Sequence, residues 1–198
     1  MCSSPGPHQG FFEEARSWDS AEEVMDGIMA YIRRGTLSFP PGTGTQYSNS
    51  GYVTLGAIVQ HVADQPYHEY VRDHVFVPAH MASSDFYTTP HWRADRRIAR
   101  PYDTLPTGER VDAIDDQLFI GTPAGNSFAT PADLVRFANT HMAGRPLNVH
   151  GGTTNGICAD LDSYPDSGWV TAILSNYEEA TQAIDALARE IITGHEES

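Results

Sequence analysis

Apolar residues recur at helical spacing through the first two thirds of this chain and at strand spacing near its end. Ser20, with Glu23 three residues on, forms a capping box, and Val24, Ile28 and Ile32 follow on one helical face until Gly35. Residues 52–63 predict a mostly apolar, buried helix that Asp64-Gln65-Pro66 ends. A shorter helix over about 67–76 is expected to carry Tyr70 and Val71 inward. Thr130-Pro131-Ala132-Asp133 starts another, with a Thr cap, Pro in the first turn and an acid near the helix N-terminus. Leu134, Phe137, Ala138 and Met142 then face the core until Gly144.

The rest is turn and strand. Residues 1–18 read as irregular structure with an aromatic anchor at Phe11-Phe12, and 104–111, around Thr107-Gly108-Glu109, as an exposed hairpin or turn. Residues 157–164 and 169–174 are strands joined at Pro165-Asp166-Ser167-Gly168, which makes a β-hairpin. Ile184, Leu187, Ala188 and Ile191 predict an amphipathic closing helix that stops at Gly194.

Composition narrows the function. Apolar residues make up 40% and charged residues 19%, so the chain is globular rather than disordered. A net charge of -14 argues against nucleic acid or an anionic membrane as partner. No apolar run has the length of a membrane span, and residues 1–9 lack the basic and apolar regions of a signal peptide. All twelve basic residues are arginine, which excludes a Walker-type phosphate loop, a Schiff-base lysine and a Ser-x-x-Lys pair within these 198 residues. The Arg-rich piece 93–97 holds Asp95 in its midst and reads as a solvated face. Two cysteines, Cys2 and Cys158, are too few for a disulfide framework. His68-Glu69 lacks the second histidine of a zinc helix, and His61, His68 and His74 are not spaced as a ligand set.

The candidate chemistry lies in the stretch from Pro40 to Tyr52. Two prolines and two glycines keep it from becoming helix, and Tyr47-Ser48-Asn49 then places a phenol, a hydroxyl and an amide at the mouth of the next helix. The phenol can relay a proton and the amide can orient a carbonyl, although Ser and Asn also favour plain caps and turns.

The order of the pieces resembles the serine β-lactamase and DD-peptidase superfamily, in its class C and esterase-like branch. The resemblance rests on Phe39-Pro40-Pro41-Gly42 through Tyr47-Ser48-Asn49-Ser50-Gly51-Tyr52 and on Pro123-Ala124-Gly125-Asn126-Ser127-Phe128-Ala129-Thr130. His150-Gly151-Gly152, Ala159-Asp160-Leu161-Asp162 and Leu174-Ser175-Asn176-Tyr177 complete it. It implies an α+β fold: part of an antiparallel sheet flanked by helices, with a mainly helical lobe over 20–144 and a hairpin and helix over 148–198. The 198 residues then make one incomplete domain.

The resemblance also implies a mechanism in which a serine attacks a carbonyl and water hydrolyses the acyl-enzyme, with no metal and no organic cofactor. Tyr47 becomes the proton relay, Asn49 the substrate-side amide and His150-Gly151-Gly152 the third motif, with the backbone N–H of Thr153 in the oxyanion hole. Ester, amide or β-lactam substrates follow for a complete enzyme. Histidine in place of the lysine of the third motif leans towards substrates without a carboxylate.

Two departures stand out. The nucleophile motif is absent, the chain beginning after the point where it would sit, and the link from Arg145 to His150 is short. Ser48 and Ser50 have no activating lysine or adjacent histidine. The isolated chain is therefore expected to be inactive, and a non-catalytic binding or interaction module derived from the same fold is the alternative. Substrate, oligomeric state and compartment stay open.

Overall fold

A computed structural model describes residues 14–141, 151–177 and 181–194. The chain folds as two compact units. The first comprises Met1–Asp73, Phe86–His91 and Leu118–Ser127, the second His74–Asp85, Trp92–Gln117 and Phe128–Ser198.

The two longest helices described in the first unit come first in the chain. Helix α1, Ala21–Arg34, starts where the Ser20 side chain accepts the Glu23 N–H at 3.1 Å, while the Glu23 carboxylate accepts the Asp19 N–H at 2.9 Å. Its buried face is Val24, Met25 and Ile28. The Trp18 ring lies so close to Gly27 that any Cβ there would collide with it. Helix α2, Asn49–Ala63, begins three residues before the apolar run, because Ser48 caps it. It ends at Asp64 in the left-handed conformation.

Helix α2 departs from the sequence reading in one respect. Only Val53 and Gly56 are buried, whereas Leu55, Ile58 and Val62 face solvent. The short helix α3, Tyr67–Val71, runs on as a π-helical turn, Arg72–Phe76. Its buried residues are His68 and Phe76 rather than Tyr70 and Val71, since His68 finds a hydrogen-bond partner inside the unit.

Helix α4, Thr89–Ala94, leads into the second unit, where β1, Tyr102–Thr104, pairs antiparallel with β2, Arg110–Asp112, around the expected turn. A 3-10 turn, Ile114–Asp116, buries Ile114. Helix α5, Pro131–His141, is capped as expected, with Thr130 Oγ1 accepting the Asp133 N–H at 3.2 Å. Asp133 is fully buried, where its carboxylate accepts the Ser83 N–H at 2.8 Å, the Ser84 hydroxyl at 2.9 Å and Arg136 at 2.5 Å. Met142 and Gly144 lie outside the described residues.

Strands β3, Gly152–Thr154, β4, Ile157–Tyr164, and β5, Trp169–Ser175, form an antiparallel sheet in that order. Alternation along β4 assigns its two faces. Leu161 packs with Ala138, Leu134 and Phe137 of α5. Cys158, Asp160 and Asp162 point the other way and meet helix α6, Gln182–Thr193. The sheet thus lies between two helices, giving the expected α+β layers. Gly194 closes α6 in the left-handed conformation, as its position predicts.

Candidate active site

The loop before α2 is shaped by its prolines and glycines. Thr43 turns back on Pro40 through its N–H at 3.1 Å and its hydroxyl at 2.7 Å, with Gly42 at φ +81°. Tyr47, Ser48 and Asn49 then divide their tasks. Ser48 is buried, and its hydroxyl accepts the Gly51 N–H at 3.1 Å. It is a helix cap, not an exposed nucleophile.

The residues either side of it meet. The Tyr47 hydroxyl donates to Asn49 Oδ1 at 2.8 Å, and the Tyr47 ring leans on Tyr52 at 5.7 Å. Tyr47 is 70% exposed. Its phenol has one proton, donated to Asn49, so its lone pairs remain to accept a hydrogen bond from a substrate or nucleophile. Accepting at Oδ1 in turn leaves both N–H bonds of the Asn49 amide to donate to a carbonyl.

A second loop sits against α2. Thr122 and Gly125 exchange backbone hydrogen bonds at 2.8 and 2.9 Å, which closes the turn at Pro123-Ala124. A Cβ on Gly56 would lie 2.1 Å from the Pro123 ring, so only glycine lets the helix approach this loop. His68 holds the loop from below. Its Nε2 lies 2.7 Å from the Gly121 carbonyl oxygen, and the Phe86 ring stands edge-on to the imidazole at 4.8 Å. Burial pushes the neighbouring Tyr67 phenol above its usual range. No sequence signal pointed to this role of His68, because Gly121 is 53 residues away.

The third predicted motif lies in the second unit. His150 is outside the described residues. Gly152 and Thr153 are in β3, whose register pairs Gly152 with Ala159, Thr153 with Cys158 and Thr154 with Ile157, and Gly151 directly precedes the strand. Among the described residues β3 is a sheet edge, so alternate N–H groups point away from the ladder. The Thr153 hydroxyl lies 3.2 Å from the Cys158 sulfur. Cys158 was not singled out from sequence, where a lone cysteine carries no chemistry. Among the described residues no group of three or more His, Cys, Asp or Glu side chains is arranged to hold a metal ion, and no helix is long and apolar enough to cross a membrane.

Comparison with known proteins identifies the family and the fold. A family model described as Beta-lactamase matches residues 4–156. Penicillin-binding protein 4 of Amycolatopsis lactamdurans is 32% identical over 105 residues, which is 52% of this chain and 27% of that protein. The chain thus spans about a quarter of the length of that curated relative. Among solved structures, a penicillin binding protein from Bacillus halodurans superposes with a TM-score of 0.78 at 18% identity, covering 96% of this chain and 70% of that one. D-amino acid amidase from Ochrobactrum anthropi superposes with a TM-score of 0.66 at 20% identity, covering 98% and 68%. At these identities the superpositions speak to fold.

Proposed function

This chain belongs to the Beta-lactamase family, and on that premise we propose that it contributes the proton-relay and substrate-holding side of a serine acyl hydrolase. The substrates are esters, amides or β-lactams, cleaved through an acyl-enzyme. Once a base outside these 198 residues has taken its phenolic proton, Tyr47 takes the proton of the nucleophile and returns it to the leaving group, and Asn49 donates its amide to the substrate. By the family resemblance the third motif is His150-Gly151-Gly152, and the Thr153 N–H belongs to the oxyanion hole. No organic cofactor or metal enters this scheme.

The observation that carries the reading is the 2.8 Å hydrogen bond from Tyr47 to Asn49 across the buried Ser48 cap. It leaves a phenol oxygen free to accept and an amide free to donate, as acyl transfer requires. These 198 residues contain no lysine, so they hold no Ser-x-x-Lys pair. Taken alone they bind substrate and do not turn it over. The lysine-free sequence also favours a second reading, a non-catalytic binding module built on the same scaffold.

Two measurements test this. Intact mass after a serine-reactive phosphonate, with p-nitrophenyl ester and chromogenic cephalosporin assays alongside, is expected to show neither adduct nor turnover. An adduct would mean that a serine here is activated by other means. Titration of labelled protein with benzylpenicillin and with D-phenylalanine amide is expected to shift the Tyr47, Asn49 and Gly151–Thr153 resonances. Asn49→Ala should weaken that binding about tenfold. A folded protein that responds at none of these positions rules out the assignment.

A further inference from the structure

Strand β3 is short, and each of its residues is exposed. Three register pairs to β4 hold one side, and no described strand holds the other. An edge strand so thinly held frays unless something else fixes it. Behind it, on the face that meets α6, lies a polar chain whose middle members, Cys158 and Thr181, are buried.

The Thr153 hydroxyl is 3.2 Å from the Cys158 sulfur, which is 2.9 Å from Thr181 Oγ1, which donates to Asp160 Oδ2 at 2.8 Å. Proton counting gives this chain a direction. The Asp160 carboxylate only accepts, so Thr181 spends its one proton there. The Thr181 oxygen can then only accept, so the Cys158 S–H donates to it. The sulfur in turn accepts from Thr153. Every link is made once and in one sense.

Two further features set this apart from incidental satisfaction of buried groups. Thr181 occupies the N-cap position of α6 and makes no side-chain cap bond, although a Thr cap ordinarily contributes about 1 kcal/mol. Its hydroxyl, at 0% exposure, serves the chain instead. The other oxygen of Asp160 lies against Gly151, just before the strand: a Cβ on Gly151 would lie 2.3 Å from Asp160 Oδ1. The carboxylate therefore fills the space a side chain would take, and glycine is the residue that fits.

We propose that Cys158, Thr181 and Asp160 are positioning residues, a polar rack that holds residues 151–153 in place from behind. Its functional consequence rests on the acyl-hydrolase reading, in which the Thr153 N–H must point at a developing oxyanion within a few tenths of an ångström. The rack ties that N–H to the start of α6, so the closing helix fixes the strand without touching substrate.

Backbone amide hydrogen exchange in the 198-residue protein tests this directly. Thr181→Val keeps volume and Cys158→Val adds about one methyl group; both remove the hydrogen bond, and each should speed exchange at residues 151–154 about tenfold while β4–β5 amides keep their protection. Cys158→Ser and Thr181→Ser retain the hydroxyl link and should stay near the parent. Unchanged exchange at 151–154 in a folded valine variant overturns the rack. So do serine variants as fast as the valine ones, since packing would then be the cause.

If the valine variants do not fold, the S–H infrared stretch of Cys158 in a Cys2→Ser background answers without a core change. A downshifted band that Cys158→Ser removes is expected, and an undisplaced band overturns the chain. Neither readout involves acyl chemistry. A protein with the expected exchange pattern and no response to benzylpenicillin or D-phenylalanine amide would count against the acyl-hydrolase reading alone.

Discussion

The division of labour in Tyr47-Ser48-Asn49 shows how one backbone feature can position a reactive pair. Ser48 is the residue whose hydroxyl closes the first turn of α2, and closing it turns its two neighbours outward to meet at 2.8 Å. Removing that cap should therefore cost stability first. Ser48→Ala is expected to lower unfolding free energy by about 1 kcal/mol, read as a shifted urea midpoint at unchanged slope. Tyr47→Phe removes an exposed hydrogen bond and should leave the midpoint within about 0.5 kcal/mol. The reverse ranking would show that the pair, not the cap, holds the loop. This triplet was legible in the sequence because capping and loop punctuation act over a few residues. His68 was not, since its partner Gly121 is brought to it only by the fold.

Helix α6 was legible as a helix and misleading as to its face. Its spacing of Ile184, Leu187 and Ile191 predicts an apolar side turned to the core, yet these residues are 55%, 55% and 74% exposed. The sheet beneath explains the inversion. Asp160 and Asp162 of β4 present carboxylates to the helix, so it turns Thr181, Asp185 and Arg189 towards them instead. Arg189 lies 3.2 Å from Asp162 and 3.4 Å from Asp185. One guanidinium facing two carboxylates leaves negative charge uncompensated. Burial first, then the hydrogen bond and charge of Asp185, push the Asp162 carboxyl up to about 6, against the pull of Arg189. A carboxyl whose folded pKa is raised contributes stability that is complete below about pH 4 and lost as the pH rises through about 6. Asp162→Asn should abolish that slope. Relative to the parent, its urea midpoint should rise between pH 4 and pH 6 and stay higher at pH 7. Parallel pH profiles for the two proteins would show that Asp162 is not the group responsible.

At the scale of the whole chain, two apolar stripes and one large charge oppose each other. Leu55, Ile58 and Val62 on α2 and Ile184, Leu187 and Ile191 on α6 are each spaced i, i+3, i+7 and each face solvent. Such stripes ordinarily seat another element. The net charge of -14 opposes association of copies of this chain. The balance between them depends on ionic strength, since about 1 M salt shortens the Debye length to about 3 Å and leaves apolar attraction unopposed. Light scattering should therefore report a monomer in dilute buffer and a mass that climbs with salt. Ile184→Glu with Leu187→Glu should suppress the climb while shifting the urea midpoint little, because exposed positions carry little stability. A mass that ignores salt, or a double variant that associates like the parent, would mean that the α6 stripe is not what brings copies together. A dye that fluoresces on apolar surfaces separates the two stripes: its signal should fall in the α6 variant only by the share α6 contributes, and the remainder should disappear with Ile58→Glu and Val62→Glu on α2.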